Sequence, residues 1–176
     1  PTQAGGKDLD DGVATGRGGK GVVYVWAAGN GATGNGVGTS AMEVDNTDYD
    51  GQASYRNVIN VGAVGDDGKK ADYSEQGASL WLSAPSRGRG NHAITTTDSP
   101  GSNGANGNTG SGTGHGINVN YSDGNYTNNF DGTSAATTLV DGRPALMLHT
   151  NPNPTSPALR ARTEIPTPPP TPLAHS

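Results

Sequence analysis

The chain has 176 residues, with 29 glycines, 12 prolines, no cysteine, 30% apolar residues and a net charge of −5. That length holds one domain, with a thin core divided by long loops. The acidic balance argues against a nucleic-acid or anionic-membrane partner, the absence of cysteine excludes disulfides and thiolate metal sites, and no stretch approaches the ~18 to 20 apolar residues of a membrane span.

Pro1 to Asp11 is polar, lacks an initiator methionine and shows no signal peptide, so it reads as the interior of a longer or processed polypeptide. Asp11 to Lys20 is expected to close a short helix ended by Gly16, Gly18 and Gly19. Val22 to Trp26 is an unbroken apolar run. A half-exposed strand would alternate, so this one is expected to be buried on both faces, as in a parallel sheet, and to stop at Gly29-Asn30. A glycine- and threonine-rich loop, Gly31 to Ser40, leads to the acidic segment EVDNTDYDG, Glu43 to Gly51. Asn57 to Val64 is a second apolar strand, and GDDGKK after it is a turn by composition. Ala78 to Ala84 and Ala93 to Thr97 are the third and fourth strand candidates.

Pro100 to Gly116 is low in complexity and reads as a mobile loop. The apolar stretch from Ser134 to about His149 is expected to be a helix. After Asn151 the chain carries eight of its 12 prolines. A partial domain over 1–153 followed by an extended, disordered tail over 154–176 is the expected organisation. Strands apolar throughout, mixed with helices, indicate an α/β fold with a parallel sheet flanked by helices and long Gly/Asn-rich loops. In such folds function gathers at the carboxyl ends of the strands, where Asn30 lies.

The stretch FDGTSAATTLV, Phe130 to Val140, allows two readings. Thr133 or Ser134 can cap the helix that follows. Alternatively, Ser134 is a nucleophile held exposed at a helix start, with glycine leaving room for a substrate.

The blocks VYVWAAGNG, DNTDYDGQAS, VINVGAV, YSEQGASLWLSAPS, ITTTD and GTSAA, in this order, resemble the second half of the catalytic domain of subtilisin-like serine proteases. The match is closer to the kexin or proprotein-convertase branch and covers about Asp10 to Asn153. The resemblance implies peptide-bond hydrolysis through an acyl-enzyme, with protein or peptide substrates, in a secreted or periplasmic setting. Ser134 is then the attacking residue and Asn30 the oxyanion-hole donor. Asp50 matches the carboxylate that faces a Lys or Arg side chain before the cut bond. Asp45 and Glu75 match two ligands of a calcium ion beneath that pocket.

The family's catalytic aspartate and histidine, and a third calcium ligand, would lie upstream of Pro1. None of His92, His115, His149 and His175 sits in the motif that the catalytic histidine requires. The missing N-terminal half of the catalytic domain is therefore the expected partner, and this chain alone is expected to be inactive. Thr138 stands where the family usually has proline. Arg143 and Pro144 fall where it has small or β-branched apolar residues, which predicts a conflict on a buried helix. The rival reading is a non-catalytic pseudo-protease or a calcium-dependent binding module.

Overall fold

A computed structural model describes residues 3–32, 45–88, 92–100, 104 and 124–163. In chain order they form α1 (Gln3–Gly19), β1 (Tyr24–Ala27), β2 (Val58–Val64), β3 (Leu82–Pro85), β4 (Ile94–Thr97), β5 (Tyr126–Phe130), α2 (Gly132–Thr150) and α3 (Ser156–Thr163). β1, β2 and β3 make one parallel sheet in that order, with Tyr24 opposite Val58 and Val61 opposite Leu82. β4 and β5 pair antiparallel beside it. The expected α/β architecture, a parallel sheet with helices, is the one observed.

β2 is the central strand and is buried from Val58 to Ala63, as its unbroken apolar run requires. β1 departs from the expectation of burial on both faces: its residues are half-buried and Trp26 is 37% exposed. It stands at the margin of the sheet, with β2 on one side and no described strand on the other. α2 crosses the sheet. Its Ala136 and Val140 join Ile59, Val61, Ala63, Ala71 and Ala84 in the core. Ala135 and Ala136 are fully buried, and their small side chains let the helix approach the strands closely.

α2 runs as one helix through Pro144. Proline forfeits the bond to the Val140 carbonyl, yet the helix does not end there. The expected unpaired arginine is also corrected. Arg143 is half-buried, and its guanidinium donates to the Thr163 carbonyl at 3.2 Å. That carbonyl closes α3, where helix polarity favours a cation.

α1 starts at Gln3 and leaves helical geometry from Gly16 to Gly18, at the glycines expected to end it. Gly18 and Gly19 take φ of 67° and 86°, the left-handed ending that glycine favours. Between them and Gly16, Arg17 has φ 52°. Its guanidinium donates to the carbonyls of Gly21 at 3.1 Å, Pro152 at 3.0 Å and Pro154 at 3.3 Å, and these bonds hold the strained backbone in place.

The expected extended tail is corrected over its first part. α3 occupies Ser156–Thr163, with Leu159 fully buried. Pro157 lies in the first turn, where a missing N–H is tolerated, and no proline follows until Pro166. The Ser156 N–H donates to the Lys20 carbonyl at 2.7 Å, pinning the segment beside the turn after α1. Residues 164–176 lie outside the described residues, as does the Gly/Asn/Ser-rich loop apart from Pro100 and Gly104.

Asp10 on α1 gathers three donors from the entry to β2: the Tyr55 hydroxyl at 2.8 Å, the Arg56 guanidinium at 2.7 Å and the Asn57 amide at 2.7 Å. These hold its carboxyl below the ordinary value of 3.8, the Tyr55 bond foremost. The folded state therefore favours the ionised form. Its stabilisation is present above pH 3.8 and is lost as pH falls through the lowered value. In thermal melts between about pH 5 and about pH 2, Asp10→Asn is expected to start less stable and to lose less on acidification. Parallel acid limbs for the two proteins would contradict this.

Candidate active site

Two residues beyond β1 the chain turns at a glycine whose backbone favours no other residue. Gly29 has φ 107°, and a Cβ there would lie 2.2 Å from Glu75 Oε1. The next residue, Asn30, is exposed and reaches across to the start of α2. Its Oδ1 accepts from the Thr133 N–H at 2.9 Å and from the Thr133 hydroxyl at 3.0 Å. The Gly29 N–H donates in turn to Thr133 Oγ1 at 3.2 Å. Asp131, the N-cap residue of α2, makes no capping bond with its side chain. Asn30 supplies that cap from another strand.

Ser134 directly follows Thr133 in the first turn of α2 and is exposed. Neither Thr133 nor Ser134 caps the helix, so the capping reading of GTSAA does not hold. Thr133 is fully buried against the Asn30 loop. Among the described residues, nothing bonds the Ser134 hydroxyl and nothing accepts from Asn30 Nδ2. Ser134 is thus the chain neighbour of the residue that Asn30 bonds, and both its hydroxyl and the Asn30 amide nitrogen are unengaged among the described residues.

The segment after β3 grips the same turn from the other side. The Ser86 hydroxyl donates to the Gly132 carbonyl at 2.9 Å, and the Tyr73 hydroxyl reaches Ser86 Oγ at 3.0 Å and the Arg87 carbonyl at 2.8 Å. Burial, above all, pushes the Tyr73 hydroxyl upward from its ordinary value. The Arg87 guanidinium forms an ion pair with Asp131. Gly132 takes φ 80° to make this turn. Gly88 packs backbone to backbone on Gly65, where a Cβ on either would meet the other's Cα at 2.6 Å or less. Sequence reasoning gave no role to Tyr73, Arg87 or Asp131. The SAPS block held the signal for Ser86 only.

The acidic residues lie on the opposite flank of the Asn30 loop. Glu75 is 6% exposed, and its Oε1 accepts from the Gly31 N–H at 2.9 Å. Asp45 flanks the same glycine: its N–H donates to the Gly31 carbonyl at 3.2 Å, and a Cβ on Gly31 would lie 3.4 Å from its Oδ2. Burial first, then the charges of Asp45 and Asp50, push the Glu75 carboxyl upward, against the Gly31 bond that lowers it. Asp45 and Glu75 are thus brought together, and a buried carboxylate repelled by its neighbours suits a hard divalent cation. Among the described residues no group of three such side chains is placed to hold a metal; Asp45 and Glu75 are a pair.

Asp50 is exposed, with Oδ1 taken by the N–H groups of Gln52 at 2.7 Å and Ala53 at 3.0 Å. Its other oxygen remains for a ligand. Asp48, unremarked in the sequence, holds this loop in place. Its carboxylate accepts from the N–H groups of Ala78 and Ser79, both at 2.8 Å.

His92 is exposed and pairs with Asp66. His149 lies in the last turn of α2, about 22 Å along the helix from Ser134. His115 and His175 lie outside the described residues. Among the described residues no histidine bonds the Ser134 hydroxyl.

A parallel sheet whose strand ends carry an exposed serine at a helix start and a facing asparagine defines a subtilisin-like α/β domain. Residues 2–165 match the profile of the subtilase family, and the chain belongs to that family. It is 39% identical over 150 residues to the calcium-dependent protease of Trichormus variabilis, covering 82% of this chain and 20% of that protein. Neuroendocrine convertase 2 of Homo sapiens is 37% identical over 93 residues, 51% of this chain and 13% of that one. The crystal structure of the serine protease of Aeromonas sobria has a TM-score of 0.71 at 24% identity, covering 90% of this chain and 28% of that chain. The chain thus spans about a fifth of the length of the calcium-dependent protease. No described helix is long and apolar enough to cross a membrane.

Proposed function

We propose that this chain is the Ser-bearing part of a calcium-binding serine endopeptidase domain of the kexin-like branch, acting on protein or peptide substrates in a secreted or periplasmic setting. Ser134 attacks the scissile carbonyl, and Asn30 Nδ2 donates to the oxyanion. Asp50 favours Lys or Arg at P1. Asp45 and Glu75 contribute to a calcium site, whose ion neutralises their charge and stiffens the loops beneath that pocket. The general base and its orienting aspartate come from outside these residues. The observation that carries this reading is the bond from Thr133 to Asn30 Oδ1, which sets the asparagine beside the serine and leaves its amide nitrogen for a ligand. The partial similarity to neuroendocrine convertase 2 and the similarity to the calcium-dependent protease of Trichormus variabilis support the branch and the calcium.

An active-site serine probe such as a fluorophosphonate tests it. The 176-residue chain alone is expected not to react. The chain co-folded with a segment supplying the missing aspartate and histidine is expected to be labelled at Ser134. Labelling of the isolated chain would refute the need for that segment. A completed, folded domain that stays unlabelled would favour the pseudo-protease instead.

A further inference from the structure

Asp131 occupies the N-cap position of α2 with extended backbone, φ −145° and ψ −163°. Aspartate is among the residues that most readily cap a helix from there, accepting from the second or third N–H. Here those belong to Thr133 and Ser134. Yet the Asp131 carboxylate makes no such bond. It is turned to Arg87, whose side chain is 11% exposed against 30% for Asp131. The Thr133 N–H goes instead to a neutral acceptor, Asn30 Oδ1. An ionised acceptor makes the stronger bond of the two, so a carboxylate released at this position would displace the amide.

We propose that Arg87 is a positioning residue: by holding the Asp131 carboxylate away from the first turn of α2, it reserves the Thr133 N–H for Asn30 and so fixes which way the Asn30 amide nitrogen faces. The Arg87 backbone is itself anchored by the Tyr73 hydroxyl and by the Gly65–Gly88 contact, so the guanidinium works from a rigid base. Loss of Arg87 lets Asp131 cap the helix in the ordinary way. Asn30 then loses the Thr133 N–H from Oδ1, keeps at most the hydroxyl, and its side chain turns. The consequence for oxyanion binding rests on the function proposed above; the positioning itself does not.

The test uses the chain as it stands, labelled with 15N and 13C. In the unmutated protein a coupling across the hydrogen bond, from the Thr133 amide nitrogen to Asn30 Cγ, is expected. Its absence overturns the proposal whatever the variants show. In Arg87→Met that coupling is expected to vanish and the Asn30 side-chain amide resonances to move. In Arg87→Met/Asp131→Ala, which also lacks the ion pair but has no carboxylate to compete, both are expected to return. If the double variant is as disturbed as the single, Arg87 acts by packing alone, and if neither is disturbed, Arg87 does not position Asn30; either result overturns the inference. None of these readings needs hydrolysis, so a chain that never cleaves a peptide can bear out the clamp, and an active protease can refute it.

Discussion

Asn30→Asp is expected to lower kcat of the completed domain by roughly 10²- to 10³-fold while leaving its melting temperature nearly unchanged. The two oxygens of the new side chain explain the split. One still accepts from Thr133 and keeps the cap on α2, while the other stands where the amide nitrogen donated. Losing one oxyanion donor costs about 2.7 to 4 kcal/mol of barrier, a magnitude that was measured on subtilisin itself and is transferred here by family membership. Asn30→Ala lacks both functions and is expected to lose stability as well, by the ~1 kcal/mol typical of a removed cap. Turnover of a peptide with arginine at P1, read beside a thermal melt, decides the matter. Unchanged kcat in Asn30→Asp, or a loss matched entirely by unfolding, would remove Asn30 from the proposed chemistry.

The second large effect concerns Glu75. If the completed domain binds calcium as proposed, the ion at a hundred times its dissociation constant is expected to stabilise the fold by about 2.7 kcal/mol through mass action. Glu75→Gln is expected to abolish most of that gain, because glutamine keeps the shape but brings no charge to the cation. In chelator the order changes. The wild-type carboxyl is buried and repelled by Asp45 and Asp50, and glutamine escapes both penalties, so the variant is expected to be no less stable than the wild type at neutral pH. A variant weaker with calcium and no weaker without it cannot be explained by ordinary packing damage. Equal calcium-induced rises in melting temperature for both proteins would exclude Glu75 as a ligand.

β2 was legible because burial on both faces leaves a plain mark, and β1 because its apolar run is unbroken although the strand is only half-buried. Val22–Trp26 and Asn57–Val64 stand out as apolar runs, and the structure places β1 and β2 within or beside them. β5, Tyr126–Phe130, carries no such mark: its sequence YTNNF is polar because only Thr127 is buried. α3 was hidden by the prolines on either side of it. Of the candidate site, the approach of the Asn30 loop to the GTSAA turn was legible, because both segments belong to the matched blocks and Thr133 does bond Asn30 Oδ1. The site was opaque where a residue acts through another. Arg87 and Asp131 lie 44 positions apart, and nothing local to either says that they meet. Asp48 escaped for a different reason, since an aspartate inside an acidic segment looks like its neighbours until the backbone it clasps comes into view.

The strand that delivers Asn30 to the cleft also has one flank on which no described strand rests. Along Tyr24–Ala27 half of the amide and carbonyl groups face outward, beside a tryptophan that is partly bare. Such a margin is a template for any extended polypeptide of matching length. A charged residue at position 26 is therefore expected to slow any strand pairing between copies of this chain at high concentration.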